Sequence, residues 1–406
     1  MAEDMEVAKQ FDEHLRSSRQ VWLLGAGVSV NAGIPLMYPL TARVIQEVEG
    51  GEGEQKELAV KLLAYIQGEL DEHCHIEHIL SHLGDMIALA ERARDTSFQV
   101  GEERIHKAKL QSVHHLILRH IRDVLRWGYR PAHGEQPEQV GKFGAPIVSV
   151  DDHRRFVQAL YRISRAGLDA FREPVHFVTT NYDTLMEDAL SLEQIVFADG
   201  FTGGGIAFWN EDVFRAAQEQ TATKAVVTKL HGSIDWYRAQ SEAGQIFRVR
   251  HDDLYPDRSN EGGNVVIYPQ STKYMASRLD PFGFMFQNFR GLLAPNRRQV
   301  LFICGYSFGD DHINGDMEQL ILNPRSKTTV VAFSKEADGG VHPLLKRWGS
   351  SSAGDRIFVA TDKGLYRGPK GPFFAAAGSA RDWWTFEGVC KLLEDGLPMD
   401  VVEALE

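Results

Sequence analysis

The sequence predicts an α/β protein: a Rossmann-like, doubly wound, mostly parallel sheet that carries a large helical insertion. Three observations lead there. Short apolar or β-branched runs recur at 21–24, 175–179, 195–198, 225–229, 265–268, 300–304 and 328–333, separated by helical or turn-rich segments, as buried parallel strands should be. Four of these runs stop abruptly, at Gly25-Ala26-Gly27-Val28-Ser29, Thr180-Asn181-Tyr182-Asp183, His231-Gly232 and Gly305-Tyr306-Ser307, so that all four turns can line one edge of a sheet, where open α/β sheets bind ligands. Between the first and second runs, residues 58–127 have helical periodicity instead.

Taken in chain order, a short N-terminal helix precedes the strand at 21–24 and the glycine turn, and a helix follows at 41–49. Gly- and Glu-rich residues 50–54 break the pattern. In the helical block, Ile76, Ile79, Leu83, Ile87 and Ala90 share one face, and Leu110, Val113, Ile117, Ile121 and Val124 share another. Residues 130–150, with three prolines and three glycines, read as a loop into a helix at 152–171. The tail offers a strand at 356–361, a glycine-rich turn at 364–371 and an amphipathic helix at 383–393. The expected organisation is a nucleotide-binding domain at 1–335 with an insertion at about 50–170, and a C-terminal extension at 336–406 suited to oligomerisation or partner docking.

Composition excludes several classes. The chain has 406 residues, 43% of them hydrophobic, enough for a large core, yet its apolar runs are far short of a bilayer span. Residues 1–10 are acidic and lack the pattern of a signal peptide. A net charge of −12 argues against a sequence-independent grip on nucleic acid and against a polybasic membrane patch. Cys74, Cys304 and Cys390 are too few and too scattered for a disulfide framework or a four-cysteine zinc site, which fits a reducing cytoplasm.

The glycine turn departs from the dehydrogenase fingerprint. Gly25 and Gly27 fit its first two positions, but Val30 stands at the third, and the acidic residue that should end a second strand is missing, since Glu47 falls in a helical stretch. What remains is a turn whose backbone amides and Ser29 can hold a pyrophosphate, with Gly33 permitting a bend; a strand–helix turn without a ligand is the alternative. Asn181, an uncharged donor and acceptor at a strand end, can position a water or a ribose hydroxyl. Asp183 has the simpler reading of a cap for a helix that begins at Thr184. His231 can accept a proton near neutral pH, with Gly232 leaving space beside it, or can be structural. Gly305-Tyr306-Ser307 suits contacts to a ribose or adenine, and Asp310 can cap a helix at 311–322. His75, His78 and His82, with Glu77, can share a helix face. His78 and His82 have metal-pair spacing, but Ile79 stands where a zinc-protease motif needs Glu, and a solvated or interface face is the expected role. The His114-His115 pair reads the same way, and Cys304 reads as core.

Together the four turns resemble the sirtuin-like family of NAD-consuming domains, whose motifs run Gly-Ala-Gly-x-Ser-x-x-x-Gly-Ile-Pro, then Asn with Asp, then His-Gly, then Gly-x-Ser. Gly25, Ala26, Gly27, Ser29, Gly33, Ile34, Pro35, Asn181, Asp183, His231, Gly232, Gly305 and Ser307 match position for position over roughly residues 20–335. The resemblance implies NAD as substrate, with adenosine near Gly305 and Ser307 and the pyrophosphate over the Gly25–Ser29 turn. Asp183 and the Tyr182 backbone would hold the carboxamide, Asn181 would lie beside the reacting ribose, and His231 would be the base.

One departure from that family matters most. Protein-deacylating sirtuins carry two paired-cysteine zinc motifs after His-Gly, whereas no cysteine lies between His231 and Cys304 here. No zinc is expected, and 237–279, with Tyr268-Pro269-Gln270 and Lys273, takes that place. Helical insertions without zinc look like the bacterial sirtuin-like effectors of antiphage defence, which hydrolyse NAD when a partner or oligomer activates them. The resemblance therefore implies a cytoplasmic NAD glycohydrolase, homo-oligomeric and controlled by a partner such as a ring ATPase or an Argonaute-like sensor. The rivals are an NAD-dependent protein deacylase or ADP-ribosyltransferase, and a regulatory subunit that binds NAD or ADP-ribose without turnover.

Overall fold

The computed structural model describes residues 2–162, 173–219, 222–238, 245–250, 264–267, 281–337, 340–375, 380–398 and 401. Among these, nine strands form one sheet: β1 (Gln20–Leu24), β2 (Val175–Thr179), β3 (Phe197–Ala198), β4 (Ala225–Lys229), β5 (Val300–Cys304), β6 (Thr329–Phe333), β7 (Ile357–Ala360), β8 (Leu365–Arg367) and β9 (Lys370–Phe373). Their order is β9-β8-β7-β6-β5-β1-β2-β4-β3, and every pairing is parallel except β7 with β8 and β8 with β9. The mostly parallel α/β fold is the one the strand-length runs predict. Central strands buried on both faces split their side chains between two cores. Trp22 and Leu24 of β1 lie with Phe302 of β5 and Phe177 of β2 on one face, while Val21 and Leu23 lie with Leu301, Ile303 and Val178 on the other.

Helices α1 (Ala2–Leu15), α6 (Asp151–Tyr161), α7 (Leu185–Leu192) and α12 (Phe386–Asp395) contribute to the first core, and α8 (Asp212–Glu219), α9 (Phe282–Leu292), α10 (Asp311–Ile321) and α11 (Pro343–Gly349) to the second. The remaining core belongs to a helical subdomain of α2 (Met37–Gly50), α3 (Glu54–Glu69), α4 (Ile76–Arg92) and α5 (Lys107–Trp127). Its buried faces are the predicted ones: Ile76, Ile79, Leu83 and Ala90 on α4, and Leu110, Val113, Ile117, Ile121 and Val124 on α5. Two bounds differ from the expected insertion. The bundle already includes α2, and α6, which ends at Tyr161, leaves it to pack Phe156, Val157 and Leu160 on the sheet. Residues 163–171 of the predicted helix lie outside the described residues.

A second, antiparallel sheet was not foreseen. Its order is Asn264–Ile267, Gly232–Arg238, Ile246–Val249, Ile206–Trp209, Phe201–Gly203. The run expected as a parallel strand at 265–268 therefore pairs antiparallel with Gly232–Arg238 instead. Tyr268, Pro269, Gln270 and Lys273 lie outside the described residues. The glycine-rich turn expected at 364–371 is the β8–β9 hairpin, which turns at Gly368 with φ +58°.

The chain after residue 335 continues the main sheet rather than standing apart. β7 pairs parallel with β6, and Trp383, Phe386, Val389, Leu392 and Leu393 share a core with Trp22, whose ring stacks 4.3 Å from Phe302. A chain cut after Lys335 would expose that core. It is expected to be insoluble or to lack a cooperative thermal transition, whereas an independent extension would leave the melting of 1–335 intact; expression and differential scanning calorimetry distinguish the two.

Candidate active site

Register brings the four turns together. Leu24 pairs with Cys304 on one side and Thr179 on the other, and Thr179 pairs with Lys229, so β5, β1, β2 and β4 end side by side. The turns that follow are then neighbours at the carboxyl edge of the sheet, on both sides of its centre.

The β1 and β5 turns interlock through the backbone. Gly25 N–H donates to Cys304 O at 3.0 Å, and Gly27 N–H donates to Gly305 O at 2.9 Å. No side chain fits between them. A Cβ on Gly25 would lie 2.5 Å from Gly305 O, one on Gly27 2.7 Å from Gly305 Cα, and one on Gly305, whose φ is +64°, 2.5 Å from Val28 N. Close chain approach thus accounts for these three glycines. Ala26 and Gly27 remain exposed at the edge, while Val28 and Ser29 turn inward.

Ser29 joins this turn to the next. Its hydroxyl donates to Asp183 Oδ2 at 2.9 Å and accepts from Asn181 Nδ2 at 3.1 Å, and the same Nδ2 reaches Gly25 O at 3.1 Å. Asp183 Oδ1 accepts from Leu185 N–H at 3.1 Å, so the acid both caps α7, which begins one residue later than predicted, and fixes Ser29. The Asn181 amide is thereby locked with both N–H bonds accounted for. Its Oδ1 is buried and has no hydrogen-bond partner among the described residues, an acceptor held ready for a hydroxyl or water.

Gly33, Ile34 and Pro35 add no side-chain hydrogen bond to this network, and Ile34 N–H ties them to it by donating to Ser29 O at 3.1 Å. Gly33 has φ +89°, its carbonyl accepts from Tyr129 N–H at 2.9 Å, and a Cβ there would lie 2.8 Å from Ile147 O; Ile34 is in the helical subdomain core. Pro35 is buried. Their local role is to join the sheet to that subdomain. Ser307 is exposed, its hydroxyl 3.4 Å from Gly309 N–H.

Three residues have roles at the site that the sequence did not signal. Asp310 is one: Oδ1 caps α10 by accepting from His312 and Ile313 N–H, as predicted, but Oδ2 lies 3.0 Å from His231 Nε2, both side chains being buried. Gly232, with φ +92°, turns the chain straight from His231 into the antiparallel strand. Glu77 of α4 is the second, accepting from the Tyr182 hydroxyl. Burial and the Glu77 carboxylate hold that hydroxyl well above the ordinary tyrosine range, so it stays a donor.

Lys229 is the third. It is 2% exposed, donates to Asp183 O and pairs with Glu187 Oε1 at 3.3 Å, clamping the turn that carries Asn181. A strand-end lysine in an apolar run gave no hint of this.

Two cavities flank the network. One, of about 260 Å³, lies beside Asp183 and is lined by Ile34, Leu185, Ile234, Asp235 and Arg250. The other, of about 730 Å³, separates α4 from the β5–α10 turn and is lined by His75, His78, His82, Asp310 and His312. The histidine face is therefore a cleft wall. His75 and His78 stack at 3.9 Å, and among the described residues no group of three His, Cys, Asp or Glu side chains is placed to hold a metal ion. Cys304 is buried core, as expected. No helix among the described residues is long and apolar enough to cross a membrane.

Burial pushes the Glu187 carboxyl up, but Lys229 and Arg250 outweigh it and hold the group below the ordinary glutamate value. Its contribution to stability is then present above that value and lost as pH falls through the depressed folded one. Lys229→Met is expected to cost about 3–5 kcal/mol near neutral pH by stranding a buried carboxylate. The deficit should narrow in acid, where Glu187 takes a proton; urea unfolding across pH measures both, and a pH-independent deficit would speak against the pair.

Among curated proteins, no match to the chain is found. The family model of the SIR2-like domain does match, at residues 175–352. The matched stretch opens at the first residue of β2 and takes in Asn181, His231 and Gly305-Tyr306-Ser307, and the register of β1 with β2 and β5 adds the glycine turn to it. Over residues 175–352 the chain is therefore similar to SIR2-like domains, a family that uses NAD.

Proposed function

We propose that the protein is an NAD glycohydrolase that cleaves NAD to nicotinamide and ADP-ribose, and that it acts in the cytoplasm as an NAD-depleting effector of antiphage defence. The observation that carries this reading is the locked amide of Asn181, its buried Oδ1 without a hydrogen-bond partner among the described residues, at the strand end next to the one that leads to His231. A pure binding site has no need of a fixed acceptor beside a base.

The chemistry asks little covalent work of the protein. The C1′–N bond breaks with its electron pair passing to the pyridinium ring, which leaves as neutral nicotinamide. Water bonds to C1′, and its proton passes through His231 to solvent. Nucleophile and electrophile need only be oriented while the oxocarbenium-like centre is sheltered. Asn181 Oδ1 orients the water or a ribose hydroxyl, and His231 accepts the proton. On this reading the adenosine lies toward Gly305 and Ser307, the pyrophosphate over the Gly25–Ser29 turn where Ala26 and Gly27 are exposed, and the carboxamide near Asp183 and the Tyr182 backbone. The 260 Å³ cavity beside Asp183 has room for a nicotinamide-sized ring.

Water is favoured as acceptor over an acylated peptide because no cysteine lies between His231 and Cys304 to build a zinc module. An NAD-consuming activity must be restrained, so we assign control to self-association or to a protein partner such as a ring ATPase or an Argonaute-like sensor.

Incubating the purified protein with NAD, alone and with the product of its neighbouring gene, and quantifying nicotinamide, ADP-ribose and acyl-ADP-ribose tests this. Free ADP-ribose is expected, reduced about 100-fold or more in Asn181→Ala and His231→Ala. Turnover only with an acylated peptide would point to the deacylase, and saturable binding without product to the regulatory subunit.

A further inference from the structure

The geometry points to Asp310 as a positioning residue that acts through His231, keeping a proton on Nε2 and stabilising the imidazolium that forms when His231 takes up a proton. This rests on the hydrolase reading for its role in turnover, but its structural content stands alone.

The two carboxylate oxygens of Asp310 have different tasks. Oδ1 is committed to the N-terminus of α10, accepting from His312 N–H at 3.0 Å and Ile313 N–H at 3.3 Å. Acceptor bonds at a helix N-terminus favour the anionic form. Oδ2 is then left 3.0 Å from His231 Nε2, with both residues only 6% exposed. A carboxylate oxygen at that distance in a buried site favours a hydrogen on the facing nitrogen. In the neutral ring the lone pair therefore resides on Nδ1, and the charge gained on protonation is matched by Asp310.

The carboxylate is also held in place from behind. Asn314 Nδ2 donates to Phe308 O at 2.7 Å, and Tyr306 OH donates to Asn314 Oδ1 at 3.2 Å, tying the first turn of α10 to the strand-end turn that precedes it. Among the described residues, two other titratable groups near His231 are engaged elsewhere. The Tyr182 ring lies 6.4 Å away with its hydroxyl on Glu77, and Lys229, two residues back, is held by Glu187 and Asp183 O.

Asp310→Asn separates the two tasks, because Asn is as good a helix cap as Asp. Its Oδ1 keeps the α10 cap while its Nδ2 presents hydrogens to Nε2, which forces the ring proton onto Nδ1. Asp310→Ser also caps, but is too short to reach His231. With ¹⁵N-histidine labelling, and His231→Gln to assign the resonance, His231 is expected as the Nε2–H tautomer in the wild type, as Nδ1–H in Asp310→Asn, and as a mixture in Asp310→Ser. In NAD turnover, kcat should fall about 100-fold or more in Asp310→Asn, with NAD affinity and melting temperature within error of the wild type. The acid limb of the pH profile should move to lower pH, since the imidazolium has lost its partner.

An unchanged tautomer in Asp310→Asn, or a loss of kcat that merely follows a loss of folding, would overturn the assignment. If the wild type turns over no NAD, the hydrolase reading fails while the tautomer measurement still decides the role of Asp310.

Discussion

Two backbone hydrogen bonds, from Gly25 to Cys304 and from Gly27 to Gly305, hold the turn after β1 against the turn after β5, and the site depends on that clasp. It requires glycine on both sides. It also turns Ser29 inward, where one hydroxyl meets both Asn181 and Asp183. From the β5 side, the same turn runs on to Asp310 and brings its carboxylate to His231. The adjacent parallel register of β5, β1, β2 and β4 supplies the frame, and the clasp sets the positions within it.

Around this centre, each buried polar group restrains a piece of backbone. Thr179 Oγ1 donates to Leu24 O and accepts from Asn181 N–H, bending the end of β2 onto β1. Lys229 holds the following turn through Asp183 O. Tyr182 reaches out of the sheet to Glu77, so the helical subdomain is anchored to the residue that follows Asn181. α4 thus contributes one acid to the site and lines the 730 Å³ cleft with His75, His78 and His82. A shift of α4 would be felt at Tyr182, which gives the subdomain a physical route for influencing the site.

Much of this was legible in the sequence because strands buried on both faces are continuous apolar runs, and their abrupt ends mark a sheet edge. β1, β2, β4, β5 and β6 and the four turns follow from that signal alone. The second sheet escaped because its strands are not continuous apolar runs, Ser233, Ile234, Asp235 and Trp236 alternating instead as an antiparallel strand does, and because its pairing depends on partners distant in the chain. The tail misled for a related reason: Leu365–Arg367 is too short to stand out among glycines, and only the β6–β7 pairing shows that it belongs to the main sheet. Lys229 and Glu77 read locally as a strand-end lysine and a helix-surface acid; only the folded register gives them partners. Asp310 was legible as a cap, but its second oxygen has a role only where His231 is brought to it.

The most direct measurement is a crystal structure of the Asn181→Ala variant soaked with NAD, in which the substrate should persist. The expected result is a dinucleotide lying across the Gly25–Ser29 and Gly305–Ser307 turns, with the nicotinamide ribose between position 181 and His231. NAD bound elsewhere, for example in the α4 cleft with the glycine turns uncovered, would contradict the account.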